Sequence, residues 1–435
     1  MESMHLSRSI LAISVLTLIP QLSRAADDRR PDFADFDRRA LAGEHLNVVF
    51  FGASLTWGAN ATDPQLTSYR ACMARRFEDA YPQAHFKFFD GAIGGTGSQL
   101  GVFRLDRDVL RHRPDLVFLD FSANDDIHSA TPETLASYEA IIRRIILEAH
   151  APVVQVIFPF KWDAAAGNAN GMLRRDAHLA LSLAYHTAVG DAIALTQQRV
   201  KSGATTLERL WPTDGVHPGN EGYELFADAA WDAYRKAVSD KLVCEPPEKM
   251  VYAATYMHSA RVRITTLGPL PEGWRAGTPN LTSAYFDMLM SRWLDDEAIA
   301  SNGLSSHAAE SATKPAQPAA KQPGRLRAAF SGSMVMLFGE CTSKSGKYRV
   351  YIDGKLVPHR SGDGKVVADD FDAGDFARKA GGNVHLVQVL AEGLDDATEH
   401  SLEIEPVFAA DVAQELRIES ICVAGGKASV EAAKK

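Results

Sequence analysis

Two short segments, far apart in the sequence, carry the side chains that acyl-transfer chemistry needs: Gly52-Ala53-Ser54-Leu55-Thr56 and Asp214-Gly215-Val216-His217-Pro218. A serine hydroxyl is a weak nucleophile at neutral pH. It becomes a useful one when an imidazole takes its proton and a carboxylate holds that imidazole in the right tautomer. Asp-x-x-His supplies both partners on one tight turn, and Pro218-Gly219 favours a turn that leads into a helix. A serine after a glycine is as common at a helix start as at an active site, and a single histidine is more often a surface or core residue. Taken together, the segments give Ser54 as nucleophile, His217 as general base and then general acid, and Asp214 as the orienting carboxylate.

Two further blocks lie between them, Asp90-Gly91-Ala92-Ile93-Gly94-Gly95-Thr96 and Phe121-Ser122-Ala123-Asn124-Asp125. With all four in this order, residues 46–238 resemble the SGNH (GDSL-type) hydrolase superfamily, esterases with an early serine and a late Asp-x-x-His. The resemblance implies a flavodoxin-like three-layer α/β/α hydrolase domain. It also implies an oxyanion hole built from the backbone N–H of Ser54, the backbone N–H of Gly95 and the side-chain amide of Asn124. The reaction would pass through an acyl-serine intermediate with no metal and no cofactor. In this family position 53 is usually Asp, in support of the site, so Ala53 bears on local rigidity more than on the chemistry. Thr56 argues against the Gly-x-Ser-x-Gly elbow of the α/β-hydrolases. Gly95-Thr96-Gly97-Ser98-Gln99-Leu100 lacks the third glycine of a dinucleotide-binding turn, which discounts a nucleotide cofactor. Trp57 and Trp162 are candidate substrate-binding aromatics, with packing against a loop as the alternative.

The elements that must position these residues follow from apolar runs alternating with helical stretches over 46–238, the pattern of a parallel sheet covered on both faces. Strands are expected at 47–51, 85–89, 115–121, 152–158 and, a fifth, near 189–194. A helix is expected over 131–150, with Thr131 as N-cap and Pro132 at its first position, and a last helix over 219–238. Ser54 follows the first strand by two residues, Gly95 follows the second and Asn124 the third. All three therefore converge on the carboxyl edge of the sheet, where open α/β sheets bind ligands.

At 435 residues the chain exceeds what one core usually organises. After Pro246 short alternating runs punctuated by glycine predict a β-sandwich of jelly-roll-like type over 247–425, with Asp353-Gly354 as a hairpin turn. Residues 1–25 read as a signal peptide, 26–45 as a lead-in, 46–243 as the hydrolase domain, 305–324 as a mobile loop and 426–435 as a disordered tail. The apolar run of the leader is too short to span a bilayer, so a secreted or periplasmic protein is expected. Export permits disulfides. Cys72, Cys244, Cys341 and Cys422 allow three pairings, Cys341 with Cys422 among them, against free buried thiols as the alternative. A net charge of −9 offers no basic surface for nucleic acid.

The expected activity is hydrolysis of carboxylic esters, acetyl esters of carbohydrates by analogy with related exported enzymes, on a small-molecule or polysaccharide ester. A lipase, lysophospholipase or thioesterase is the enzyme alternative. A catalytically silent glycan-binding protein is the other, and the intact set Ser54, Gly95, Asn124, Asp214 and His217 argues against it. Because every catalytic block precedes residue 247, removal of 247–435 is expected to spare small esters and weaken action on polymer. A purely structural role for that segment is the competing expectation.

Overall fold

Five runs rich in Val, Ile, Leu and Phe form a parallel sheet: β1 (His45–Gly52), β2 (His85–Ala92), β3 (Leu116–Leu119), β4 (Val153–Ile157) and β5 (Ala188–Asp191), in the order β2-β1-β3-β4-β5. The computed structural model describes residues 30–165, 171–280, 294–304, 321–361 and 364–433. β3 and β4 are buried along their whole length because helices cover both faces. These helices are α1 (Phe33–Leu41), α2 (Ser54–Trp57), α3 (Tyr69–Ala80), α4 (Ser98–Asp108), α5 (Pro132–Arg144), α6 (Lys161–Ala164), α7 (Leu173–Tyr185), α8 (Ala192–Lys201), α9 (Leu207–Leu210) and α10 (Asn220–Ser239). The strand order is the flavodoxin-like one. It reverses direction at β1 and β3, which opens a crevice at their carboxyl ends.

Local chemistry explains where elements start and stop. The Thr131 hydroxyl accepts the Thr134 N–H at 3.4 Å and Pro132 opens α5, as the spacing predicts. The regular helix ends earlier than expected, at Arg144, and continues as a π-helical turn over Ile145–Ala149. β5 stops short because Asp191 accepts the Ala194 N–H at 3.0 Å and turns the chain into α8. The lead-in contains α1, capped by Asp32, which buries Phe33, Phe36 and Ala40. Phe36 meets Tyr234 of α10 edge-on, with ring centroids 5.9 Å apart.

The second half is antiparallel. Its strands are β6 (Ser259–Arg263), β7 (Trp274–Gly277), β8 (Glu297–Ser301), β9 (Leu326–Ser331), β10 (Met334–Cys341), β11 (Lys347–Ile352), β12 (Lys355–Val357), β13 (His359–Arg360), β14 (Val366–Ala368), β15 (Phe371–Asp372), β16 (Val384–Ala391), β17 (Glu399–Val407), β18 (Glu415–Ala424) and β19 (Ser429–Ala432), with one short helix, α11 (Asp375–Ala380). One sheet runs β16-β10-β18-β8-β7 and the other β12-β11-β17-β9-β19. They enclose a core that includes Leu337, Tyr348, Val350, Ile404, Ile418 and Val423. Asp353 and Gly354 both have positive φ, 52° and 72°, as a two-residue hairpin turn requires.

β10 has no exposed face. Met334, Met336 and Phe338 join the core of the first domain, while Val335, Leu337 and Cys341 join the core of the sandwich. β18 does the same with Cys422 and Ala424 on one side and Ile421 and Val423 on the other. Cys341 and Cys422 thus point to opposite sides of one sheet and cannot bridge, and all four cysteines are free and buried. The connection between domains is strapped to α5: the buried Glu139 carboxylate accepts the N–H groups of Val251 and Tyr252, each at 2.7 Å.

Two expectations need comment. The tail expected to be disordered over 426–435 includes β19, which pairs with β9 from Ser429 to Ala432, because Val430 alternates into the sandwich core. The expected signal peptide and residues 305–320 of the expected mobile loop lie outside the described residues. Among the described residues no helix is long and apolar enough to cross a membrane.

Candidate active site

Ser54 is the first residue of α2, a single turn set directly on the end of β1. A Cβ at Gly52 would fall 2.2 Å from Thr56 Oγ1 and 2.6 Å from the Asp120 carbonyl, so only glycine lets the chain turn this tightly. The loop after α2 is stitched to the Asp-x-x-His turn and to the first turn of α10 at three points. Asn60 Nδ2 donates to Asp214 Oδ2 at 2.8 Å, Thr62 N–H donates to Asn220 Oδ1 at 3.0 Å, and the Tyr223 hydroxyl donates to the Ala59 carbonyl at 2.6 Å. Ser54 and His217, 163 residues apart, are thereby brought within hydrogen-bond distance: Ser54 Oγ lies 3.0 Å from His217 Nε2.

Behind the imidazole, Asp214 Oδ2 stands 3.6 Å from His217 Nδ1. Asp214 Oδ1 accepts the N–H groups of Val216 and His217, both at 2.7 Å. Burial alone would raise the Asp214 carboxyl, but these bonds and the Asn60 amide outweigh it and leave the group below its ordinary value. For His217 burial dominates the opposing pull of Asp214. Its pKa is lowered, so the ring is neutral and able to accept a proton at neutral pH.

Gly95 and Asn124 line the same cavity as Ser54 and His217, a space of about 400 Å³. Gly95 has φ +69°, a conformation glycine adopts without strain. Asp125 holds this loop to its neighbour, accepting the Ser98 N–H at 2.9 Å, and burial raises its carboxyl to about 6. A fully buried arginine ties the two strand ends together: Arg104 Nη2 donates to the Gly52 carbonyl at 2.7 Å, Nη1 donates to the Gly91 carbonyl, and Asp108 pairs with the guanidinium at 2.9 Å. Beneath Thr56, Asp120 accepts the Ser122 hydroxyl and N–H, each at 3.1 Å, and burial pushes its carboxyl up to about 7. Ala53 is buried, and the rigidity its missing carboxylate put in doubt is supplied from below by this network.

Neither Trp57 nor Trp162 lines the cavity. Phe160 does so, and Trp162 packs on it with ring centroids 5.0 Å apart while lying over Gly215 of the Asp-x-x-His turn. The opposite wall comes from the sandwich: Phe376, Lys379 and Ala380 of α11. Sequence reasoning missed these, and also Asn60 and Arg104. Arg104 left a usable signal, an arginine with Asp four residues on in an otherwise apolar helical face. Asn60 and α11 left none. Among the described residues no cluster of three or more His, Cys, Asp or Glu is placed to hold a metal ion.

Residues 50–225 match the family model described as the GDSL-like Lipase/Acylhydrolase family. This chain carries a GDSL-family hydrolase domain. It is accordingly a hydrolase of ester bonds. A search of curated proteins found no match. Among solved structures, a two-domain esterase active on acetylated mannans, co-crystallised with mannopentaose, superposes with a TM-score of 0.67 at 20% identity, over 92% of this chain and 97% of that chain. A second structure, of a two-domain esterase also described as active on acetylated mannans, gives a TM-score of 0.66 at 21% identity, over 91% and 95%. At that identity the likeness is one of fold. It runs through the GDSL domain and the sandwich alike.

Proposed function

We propose that the protein is an exported serine esterase that removes acetyl groups from carbohydrates. The observation that carries the chemistry is the 3.0 Å contact between Ser54 Oγ and His217 Nε2, backed by Asp214 and opening on a cavity shared with Gly95 and Asn124. In the reaction Ser54 Oγ attacks the ester carbonyl carbon as His217 Nε2 takes its proton. The tetrahedral oxyanion is met by the N–H groups of Ser54 and Gly95 and by the Asn124 amide. His217 then gives its proton to the departing alcohol oxygen, leaving acyl-Ser54. Water, deprotonated by the same imidazole, attacks that ester, and Ser54 leaves with the proton.

The carbohydrate assignment rests on two supports. The cavity, about 400 Å³, has an aromatic side chain from each domain, Phe160 and Phe376, which suits stacking against a sugar ring. The two-domain architecture is shared over almost the whole chain with an esterase active on acetylated mannans. Residues 1–25 supply the export signal in this reading.

The test is a substrate panel: acetylated manno-oligosaccharides and p-nitrophenyl acetate against p-nitrophenyl palmitate and an acyl thioester. Acetate release from the sugars, lost in Ser54→Ala, is the expected result. Preference for the palmitoyl ester would make the protein a lipase. No turnover of any member, with no labelling by a serine-directed phosphonate, would leave a glycan-binding protein.

A further inference from the structure

His385 belongs to the sandwich yet reaches the loop that carries Gly95. It lies on β16, an edge strand that pairs on one side with β10, and it is 3% exposed. Its Nε2 stands 3.4 Å from the carbonyl oxygen of Gly95. A carbonyl only accepts, so the ring proton must sit on Nε2. The charged form is disfavoured as well, since burial lowers this histidine to about 4.

The Gly95 carbonyl is the weak point of the oxyanion loop. On one side of it the Thr96 hydroxyl closes the loop by donating to the Ile93 carbonyl at 2.8 Å; beyond it Asp125 holds Ser98. Within the turn closed from Ile93 to Thr96, Gly94 and Gly95 have no side chains with which to lock their peptides. A glycine passes between left-handed and right-handed wells at little cost, and such a passage redirects its N–H. The Gly95 N–H belongs to the Gly94–Gly95 peptide, which lies between the 93–94 peptide held through the Ile93 carbonyl and the 95–96 peptide held through the Gly95 carbonyl, so fixing the Gly95 carbonyl limits the rotations open to it.

Resting on the serine-esterase reading above, we infer that His385 is a positioning residue: the sandwich domain, through its Nε2–H, holds the Gly95–Thr96 peptide, and with it the backbone of Gly95, in the conformation that offers the Gly95 N–H to the oxyanion. The second domain thereby takes part in catalysis on every substrate, small esters included. α11, which directly precedes β16, covers the pocket from the same side.

Two variants of the full-length protein and one measurement on the wild type test this. His385→Leu keeps the bulk and removes the donor; His385→Gln restores an N–H donor. On p-nitrophenyl acetate, His385→Leu should lose about tenfold or more in kcat with KM little changed, a fraction of the roughly 100-fold to 1,000-fold that follows loss of a whole oxyanion donor. His385→Gln should recover most of that loss. Equal kcat in His385→Leu and wild type, or Gln no better than Leu in two equally stable variants, would overturn the inference. If the variants do not fold, 15N chemical shifts of the wild-type imidazole decide it: a neutral Nε2–H tautomer between pH 6 and 8 is expected, and an Nδ1–H tautomer cannot donate to Gly95 and sinks the idea. Failure of the underlying reading looks different, because there Ser54→Ala would retain wild-type turnover.

Discussion

At the scale of single residues, the Ser54 to His217 contact makes demands that substitution can test. Ser54→Ala should abolish ester turnover without lowering the melting temperature, since the hydroxyl's contact is with the His217 imidazole and not with the core. Asn124→Ala should lower kcat by about 100-fold or more if its amide meets the oxyanion, whereas a change confined to KM would make it a substrate contact. The pH profile of kcat/KM should carry an acid limb whose midpoint lies below the roughly 6.5 of an ordinary imidazole, because burial disfavours the charged ring more than Asp214 restores it. Asp120, raised to about 7, titrates close by, so the limb needs an owner. Asp120→Asn should leave it in place; disappearance of the limb in that variant would assign it to Asp120. The residues named in these predictions divide by how far their information travels along the chain. Ser54, Gly95 and Asn124 each sit in a block whose neighbours announce a turn at a strand end, and Asp214 and His217 in one that announces a turn before a helix, so their meeting around one cavity was legible in the sequence. Asn60 and His385 act on groups 154 and 290 residues distant, and nothing beside them reports that partner.

At the scale of elements, the pattern of periodicity told strand from helix but not which neighbour each strand would meet. β10 is the instructive case: its unbroken apolar run Met334-Val335-Met336-Leu337-Phe338 identified a strand, and lack of alternation is the mark of burial on both faces. The partner for the second face was not written locally, because it is the first domain's α/β core. Boundaries missed for similar reasons, as where the Asp191 cap converted the end of an expected strand into α8. Elements also hold a titratable fastening. His400 on β17 meets the Asp353 carboxylate at 2.8 Å through Nδ1 and the Asp395 carbonyl at 2.9 Å through Nε2. Two acceptors require two protons, so the ring is held as imidazolium; burial opposes the charge, but both partners outweigh it and the pKa is raised. A raised pKa means stability fully present below about pH 6.5 and lost as the pH climbs through the folded value. The melting-temperature difference between wild type and His400→Leu should therefore be largest near pH 6 and shrink toward pH 9. A gap that widens with pH would contradict the imidazolium assignment.

At the scale of the whole molecule, the sequence separated two folded units correctly in kind and left two roles open for the second, recruitment of polymer and structural cover for the first. The expectation that residues 247–435 are dispensable for small esters conflicts with Met334, Met336, Phe338, Cys422 and Ala424 lying in the first domain's core and with α11 walling the pocket. The chain cut after Glu245 should aggregate or lose activity on p-nitrophenyl acetate; a soluble fragment with wild-type kcat would show that the GDSL domain stands alone. Chelators should leave the full-length enzyme unaffected if Ser54 does the chemistry, and loss of turnover restored by a divalent ion would point to a different mechanism. The sheet that contains β10 and β18 has a further thermodynamic meaning. With neither face of β10 or β18 available to water, this centre of the sheet cannot survive the melting of one domain while the other persists, since either event strips the apolar contacts of one face. Heat should therefore denature the molecule in a single endotherm whose van't Hoff and calorimetric enthalpies agree, the signature of one cooperative unit where a beads-on-a-string enzyme gives two.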